Sequence, residues 1–91
     1  MFYVLMAWDK PGALDLRMEH RPDHLAYLKD SGVVRQAGPF LGEDDKPCGS
    51  LIVLEVPDMA TAQAWADADP YARAGLFETV RIAPWNRVLN T

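Results

Sequence analysis

The chain carries two histidines, His20 and His24, four residues apart. Histidine is the side chain whose ordinary pKa lies near neutrality, so it suits both proton transfer and metal binding. On a helix this spacing places both rings on one face, but a metal site needs at least a third ligand. Cys48 lies far off in sequence, Asp23 points elsewhere on a helix, and Pro22 disturbs the spacing. No metal site is expected. His24 then reads either as a surface helix histidine or as a general acid or base. Asp69, directly before Pro70, reads either as a turn residue that ends a helix or as a carboxylate that orients an imidazole.

Other nucleophiles have weaker settings. Ser50 lacks the Gly-x-Ser-x-Gly surroundings of a nucleophile elbow. Cys48 has Lys46 nearby but Asp44 and Asp45 opposing it, which is not the setting of an activated thiolate. No glycine-rich phosphate loop, nicotinamide fingerprint or P-loop occurs, and no cofactor is expected.

The elements that must position these residues follow from pattern. Phe2 to Trp8 is an unbroken apolar run of strand length, ended by the turn signal Asp9-Lys10-Pro11-Gly12. Residues 13–31 read as helical, with Leu14, Met18, Leu25 and Leu28 on one face. Pro22 predicts a kink there, or a short helix over 13–20 followed by a second one. Val33 to Leu41 is a weaker strand, and Gly38-Pro39 within it predicts an edge position or a bulge. Gly42 to Pro47 reads as a hairpin loop and Gly49 to Val56 as the clearest strand. Asp58 stands where an N-cap should, before an alanine-rich helix with Met59, Ala62 and Ala66 on one face. Tyr71 to Leu76 predicts one more helical turn, Phe77 to Trp85 a last strand, and the final six residues a short tail.

The order βαββαβ is the ferredoxin-like α+β pattern, a four-stranded antiparallel sheet with helices on one face. The first and third strands are apolar at both alternating sets of positions, whereas a sheet with one wet face shows polar residues at every second position. Two helices cover only one face. The expectation is therefore a homodimer, or a higher oligomer built on it, with sheets packed face to face. Trp8, Trp65 and Trp85 fit core and interface better than a cofactor platform.

Composition sets the outer limits. Ninety-one residues allow one domain, 1–91, and 49% hydrophobic with 24% charged residues excludes a disordered chain. A net charge of -4 argues against nucleic acid, which needs clustered Lys and Arg. One cysteine excludes an internal disulfide. No apolar run reaches the roughly 18 residues of a membrane span. A reduced, cytoplasmic protein without membrane contact is expected.

Several segments together resemble the YciI-like, or YCII-related, family. They are Arg21-Pro22-Asp23-His24-Leu25-Ala26-Tyr27-Leu28, Gly38-Pro39, Gly49-Ser50-Leu51, Asp69-Pro70-Tyr71 with Ala74-Gly75-Leu76-Phe77, and Ile82-Ala83-Pro84-Trp85. The resemblance runs from Phe2 to Trp85. It implies a dimeric α+β barrel and an active site built on a histidine and an aspartate, here His24 and Asp69. His20 becomes a solvated bystander. Arg21 falls on a recurrent family position and is a candidate for binding an anionic substrate. Arg17 could likewise supply positive charge for an anionic substrate, but it reads more readily as a solvent-facing side chain with Glu19 or Asp23 nearby. Gly38 and Pro39 are candidates for a pocket wall, Ser50 for a ligand hydrogen bond, and Tyr71 for closing the pocket.

The resemblance also implies small aromatic ring compounds as substrates, since a few such proteins remove HCl from a chlorinated hydroxyquinol. Three functions stay open on the sequence. One is a cofactor-independent enzyme in which His24 moves protons in an isomerisation or elimination on a small cyclic or aromatic metabolite. Another is a non-catalytic module that binds a small molecule. The third is a cofactor-free monooxygenase of related barrel type.

Overall fold

The computed structural model describes residues 1–90, so the last residue of the expected tail lies outside the described residues. The elements are β1 (Phe2–Asp9), α1 (Leu14–Asp30), β2 (Val34–Leu41), β3 (Pro47–Glu55), α2 (Met59–Ala68), α3 (Pro70–Arg73) and β4 (Phe77–Trp85). The four strands form one antiparallel sheet in the order β2-β3-β1-β4, which is the expected ferredoxin-like architecture. The two edges are β2 and β4. Pro39, which has no N–H for a ladder, accordingly sits on an edge strand opposite Ser50.

Side chains alternate across the sheet. Tyr3, Leu5 and Ala7 of β1 and Ile52, Leu54 and Val56 at β3 point to the helix side and are buried. Ala62, Trp65 and Ala66 of α2 close the same core, with Tyr27, Leu28 and Ile82 packed against it. The opposite face carries Phe2, Val4 and Met6 of β1, all half-buried, together with Leu51 and Val53 of β3. Trp8 and Trp85 remain 40% and 41% exposed there. The Trp8 ring stacks on Phe40 at 5.1 Å directly above Gly49, which faces both residues in the strand register.

The expectation of two helices divided near Pro22 is corrected, since α1 runs through the proline as one element. Pro22 lies on the exposed side of α1, where the carbonyl it leaves unpaired can be solvated. The inward face is only partly the leucine and methionine stripe, of which Leu28 packs against the core. Met18 is 51% exposed, while Arg17 and His24 are buried. These two are seven residues apart, two helical turns, and so share a face. The α1 side chains turned inward here meet polar partners as well as the hydrocarbon core.

In α2, Asp58 is the N-cap as expected and accepts the Thr61 N–H at 2.8 Å. Met59 is turned outward, and Trp65 takes the inward place assigned to it. Asp69 then does two things at once. It ends α2, and it caps α3 through Oδ1, which accepts the Tyr71 N–H at 2.9 Å. Pro70 fits the first position of α3 because no N–H is needed there. Gly75, at a φ of +75°, turns the chain from α3 into β4.

Candidate functional site

A cavity of about 440 Å³ opens between α1, the β2–β3 half of the sheet and the start of α3. Met18, Leu25, Leu28, Ala37 and Ile52 give it an apolar wall, and Gly38, Pro39 and Pro47 bring backbone close to it. Its polar wall consists of Arg17, Arg21, His24, Ser50 and Tyr71. A mostly apolar pocket with a few convergent polar groups is the usual form of a small-molecule site.

His24 comes from the inward face of α1 and Asp69 from the α2–α3 junction. Their contact, Nδ1 to Oδ1 at 2.8 Å, is fully interior, with the two residues 5% and 1% exposed. An ionised carboxylate only accepts hydrogen bonds, so the Nδ1 proton of the imidazole is directed at Asp69. That leaves Nε2 as the nitrogen free to meet a ligand in the cavity. The Tyr71 ring stacks on the imidazole with centroids 3.8 Å apart and planes 13° apart, which fixes the ring orientation further. The other oxygen, Asp69 Oδ2, is buried without a hydrogen-bond partner among the described residues.

The second polar group is built on Arg17. Its Nε donates to Asp9 Oδ2 at 2.7 Å, and its Nη2 donates to Asp9 Oδ1 at 3.0 Å and to Ser50 Oγ at 2.9 Å. The guanidinium also lies over the Tyr71 ring, 4.7 Å from its centroid. Burial by itself would pull the Arg17 pKa down, but the hydrogen bonds and charge of Asp9 outweigh it and the pKa ends raised. Burial pushes the Tyr71 hydroxyl up, against the pull of the Arg17 and Arg21 guanidiniums.

The residues proposed from sequence thus meet in one place. Arg21, His24, Gly38, Pro39, Ser50 and Tyr71 all line the cavity, and Asp69 stands behind His24. Arg17 is a correction. It is 4% exposed and bound to Asp9, and it faces neither solvent nor Glu19 or Asp23. Asp9, which has the composition of a turn residue in the sequence, is its partner. Both had a signal. Asp9 continues the inward alternation of Tyr3, Leu5 and Ala7, and Arg17 precedes His24 by two helical turns. His20 stands apart, 3.1 Å from Glu19. Cys48 lines a different depression with Lys10, Lys46 and Asp44. Among the described residues no three His, Cys, Asp or Glu side chains gather as a metal site.

Comparison with known proteins places the chain among relatives of the same fold. The chain matches the YCII-related domain over residues 1–86. It is 40% identical to Protein YciI of Escherichia coli, covering 97% of this chain and 99% of that one. An uncharacterized protein of Haemophilus influenzae is 33% identical over the same shares. Among solved structures, 5-chloro-2-hydroxyhydroquinone dehydrochlorinase (TftG) of Burkholderia phenoliruptrix, in complex with 2,5-dihydroxybenzoquinone, superposes with a TM-score of 0.87 at 28% identity. It covers 94% of each chain. An antibiotic biosynthesis monooxygenase shares the fold at a TM-score of 0.60 and 16% identity, covering 97% of this chain and 99% of that one. With the full extent of the sheet and both helical regions inside the matched segment, the chain belongs to the YCII-related domain family.

Proposed function

We propose that this chain, as one domain over residues 1–91, is a cofactor-independent enzyme that moves protons on a small cyclic or aromatic compound. The observation that carries the reading is the interior contact between His24 Nδ1 and Asp69 Oδ1, with His24 on the wall of an apolar cavity. With Nδ1–H held by the carboxylate, Nε2 is the base. It takes a proton from a ring hydroxyl or ring carbon, and Asp69 stabilises the imidazolium so formed. In an elimination the freed electron pair expels the leaving group. In an isomerisation the proton returns from Nε2 to a different atom of the ring. Positioned proton transfer of this kind contributes about 10²–10⁴-fold to rate.

The similarity to TftG supports a ring substrate, since that protein acts on a chlorinated hydroxyhydroquinone. The cavity volume, about 440 Å³, accommodates one substituted ring. Turnover of 5-chloro-2-hydroxyhydroquinone and related dihydroxybenzenes, followed by absorbance, tests the reading. Wild type turns over at least one ring, and His24→Gln loses at least about a hundredfold while staying folded by circular dichroism at the assay temperature. Full activity in His24→Gln overturns the assignment, and ring binding without turnover favours the non-catalytic module.

The functional unit in this reading is a homodimer in the cytoplasm. The apolar sheet face opposite the helices carries Phe2, Val4, Met6, Trp8, Leu51 and Trp85, and this is the surface on which a second copy would pack. No helix among the described residues is long and apolar enough to cross a membrane.

A further inference from the structure

Two features of the Arg17 cluster are not used by the His24–Asp69 pair. Its Nε and Nη2 are committed to Asp9 and Ser50, the Tyr71 hydroxyl lies near the guanidinium, and Nη1 makes no hydrogen bond within 3.5 Å among the described residues. And no Asp or Glu side chain lines the cavity, although two carboxylates stand just behind its wall. Asp9 lies on the far side of Arg17, and Asp69 lies on the far side of His24. The cavity therefore meets two guanidiniums and an imidazole, while the compensating negative charges are turned away. Arg17 is the more rigid of the two cations. It is clamped at Nε and Nη2 and its side chain is 5% exposed, whereas Arg21 sits at the exposed rim.

We propose that Arg17, locked in place by Asp9 and Ser50, binds an anionic oxygen of the substrate through Nη1, so that the site selects rings carrying an ionised hydroxyl. This rests on the reading of the cavity as the site of a ring substrate, and it adds the ionic form of that ring and the residue that recognises it. A guanidinium held by a buried carboxylate is an oriented donor, and it loses little freedom when a ligand arrives. Asp9 also keeps Arg17 charged despite burial. The apolar wall of Met18, Leu25 and Ile52 takes the ring face, and the ionised oxygen is drawn to the end where Arg17, Ser50 and Tyr71 converge. His24 Nε2 remains for a second position on the same ring.

The test uses the full chain and two inert probes with one skeleton. These are 4-nitrocatechol, whose hydroxyl para to the nitro group is ionised at mildly alkaline pH, and its neutral dimethyl ether. Binding is measured by calorimetry and by the absorbance shift of the nitrocatecholate. Wild type binds the anion more tightly than the ether. Arg17→Met weakens the anion by roughly ten- to hundredfold and leaves the ether unchanged, because a hydrogen bond to a charged group is lost. Since Arg17→Met leaves the Asp9 carboxylate uncompensated, Arg17→Lys and Ser50→Ala serve as variants that keep a positive charge beside it. Both weaken the anion selectively, the second less than the first. Arg21→Gln, an exposed change, costs only a fewfold loss from long-range charge.

Equal binding of anion and ether by wild type overturns the proposal while leaving the His24–Asp69 reading intact. So does unchanged anion binding in Arg17→Lys, or a selective loss carried entirely by Arg21→Gln. Failure of wild type to bind either probe overturns this proposal together with the reading of the cavity as a ring site.

Discussion

Replacing Asp69 by asparagine separates the charge of this side chain from its shape. In the native chain Oδ1 accepts two N–H groups, His24 Nδ1 at 2.8 Å and Tyr71 N at 2.9 Å, while Oδ2 has no partner among the described residues. Asparagine has the same outline. With its oxygen in the Oδ1 place, both donors keep an acceptor, but the amide NH₂ occupies the Oδ2 place as a buried donor with nothing to accept it. An unsatisfied buried donor costs about 1–3 kcal/mol. The bond to His24 also drops from charge-assisted to neutral, a further loss of about 1 kcal/mol. The sum is about 2–4 kcal/mol, and a domain of this size loses about 4–8 °C in Tm per kcal/mol, so Tm falls by about ten degrees or more. Calorimetry and urea unfolding measure this directly. A second readout is the ¹⁵N spectrum of the imidazoles, which is simple because the chain has only His20 and His24. In wild type His24 shows the Nδ1–H form, and in Asp69→Asn that preference relaxes. A wild-type His24 protonated on Nε2, or an Asp69→Asn variant as stable as wild type, would refute the argument.

Other consequences are equally open to measurement. Gly49→Ala drives a methyl group into the Ala7 carbonyl oxygen and to 3.0 Å from the Phe40 ring, where neither strand can yield without repacking the Trp8–Phe40 stack. A destabilisation of about 1–3 kcal/mol is expected in urea unfolding, and a neutral effect would show that the strands move apart freely. Trp8→Glu with Trp85→Glu places charge on the open sheet face without touching the helix-side core, so sedimentation should report monomers. A persistent dimer would locate the interface elsewhere. Burial holds the Tyr27 and Tyr71 hydroxyls above the ordinary tyrosine range, Tyr27 with added repulsion from Asp69. A phenol that ionises later in the folded chain than in the unfolded one supports the fold fully below the ordinary value near about 10 and loses that contribution as pH rises through the folded value. Stability should therefore decline above that range. Tyr27→Phe and Tyr71→Phe should each remove one late step from the ultraviolet titration, and a titration complete at the ordinary value would contradict this.

The architecture was legible because the strands announce themselves. Phe2 to Trp8 and Gly49 to Val56 are strand-length runs rich in apolar residues and bounded by turn residues, and Asp58 marks the start of α2 by its capping chemistry. Pro22 does not divide the helix, for a definable reason. A proline costs a helix most where the missing N–H is buried, and here it faces outward. The inward face of α1 was hidden for another. Hydrophobic periodicity finds the face that packs on hydrocarbon, but this helix turns Arg17 and His24 toward polar partners. Asp9 ends β1, and a strand-terminal aspartate followed by Lys-Pro-Gly has the composition of a turn. Its pairing with Arg17 depends on α1 folding back over the sheet, and such a contact is visible only once the topology is known. The meeting of His24 with Asp69, 45 residues apart, was expected through family resemblance and not through any local pattern.

Asp69 carries a consequence for how this protein can change over evolutionary time. The same oxygen that faces His24 also caps the turn into α3, so the aspartate belongs to the scaffold as much as to the chemistry. His24 has no comparable second duty in the backbone. The two members of the pair are therefore unequally replaceable. A descendant that gave up proton transfer and kept only the pocket would shed the histidine first and retain the Asp-Pro-Tyr turn. Within a lineage, the histidine would record whether the chemistry is still under selection, while the aspartate would record only that the fold is.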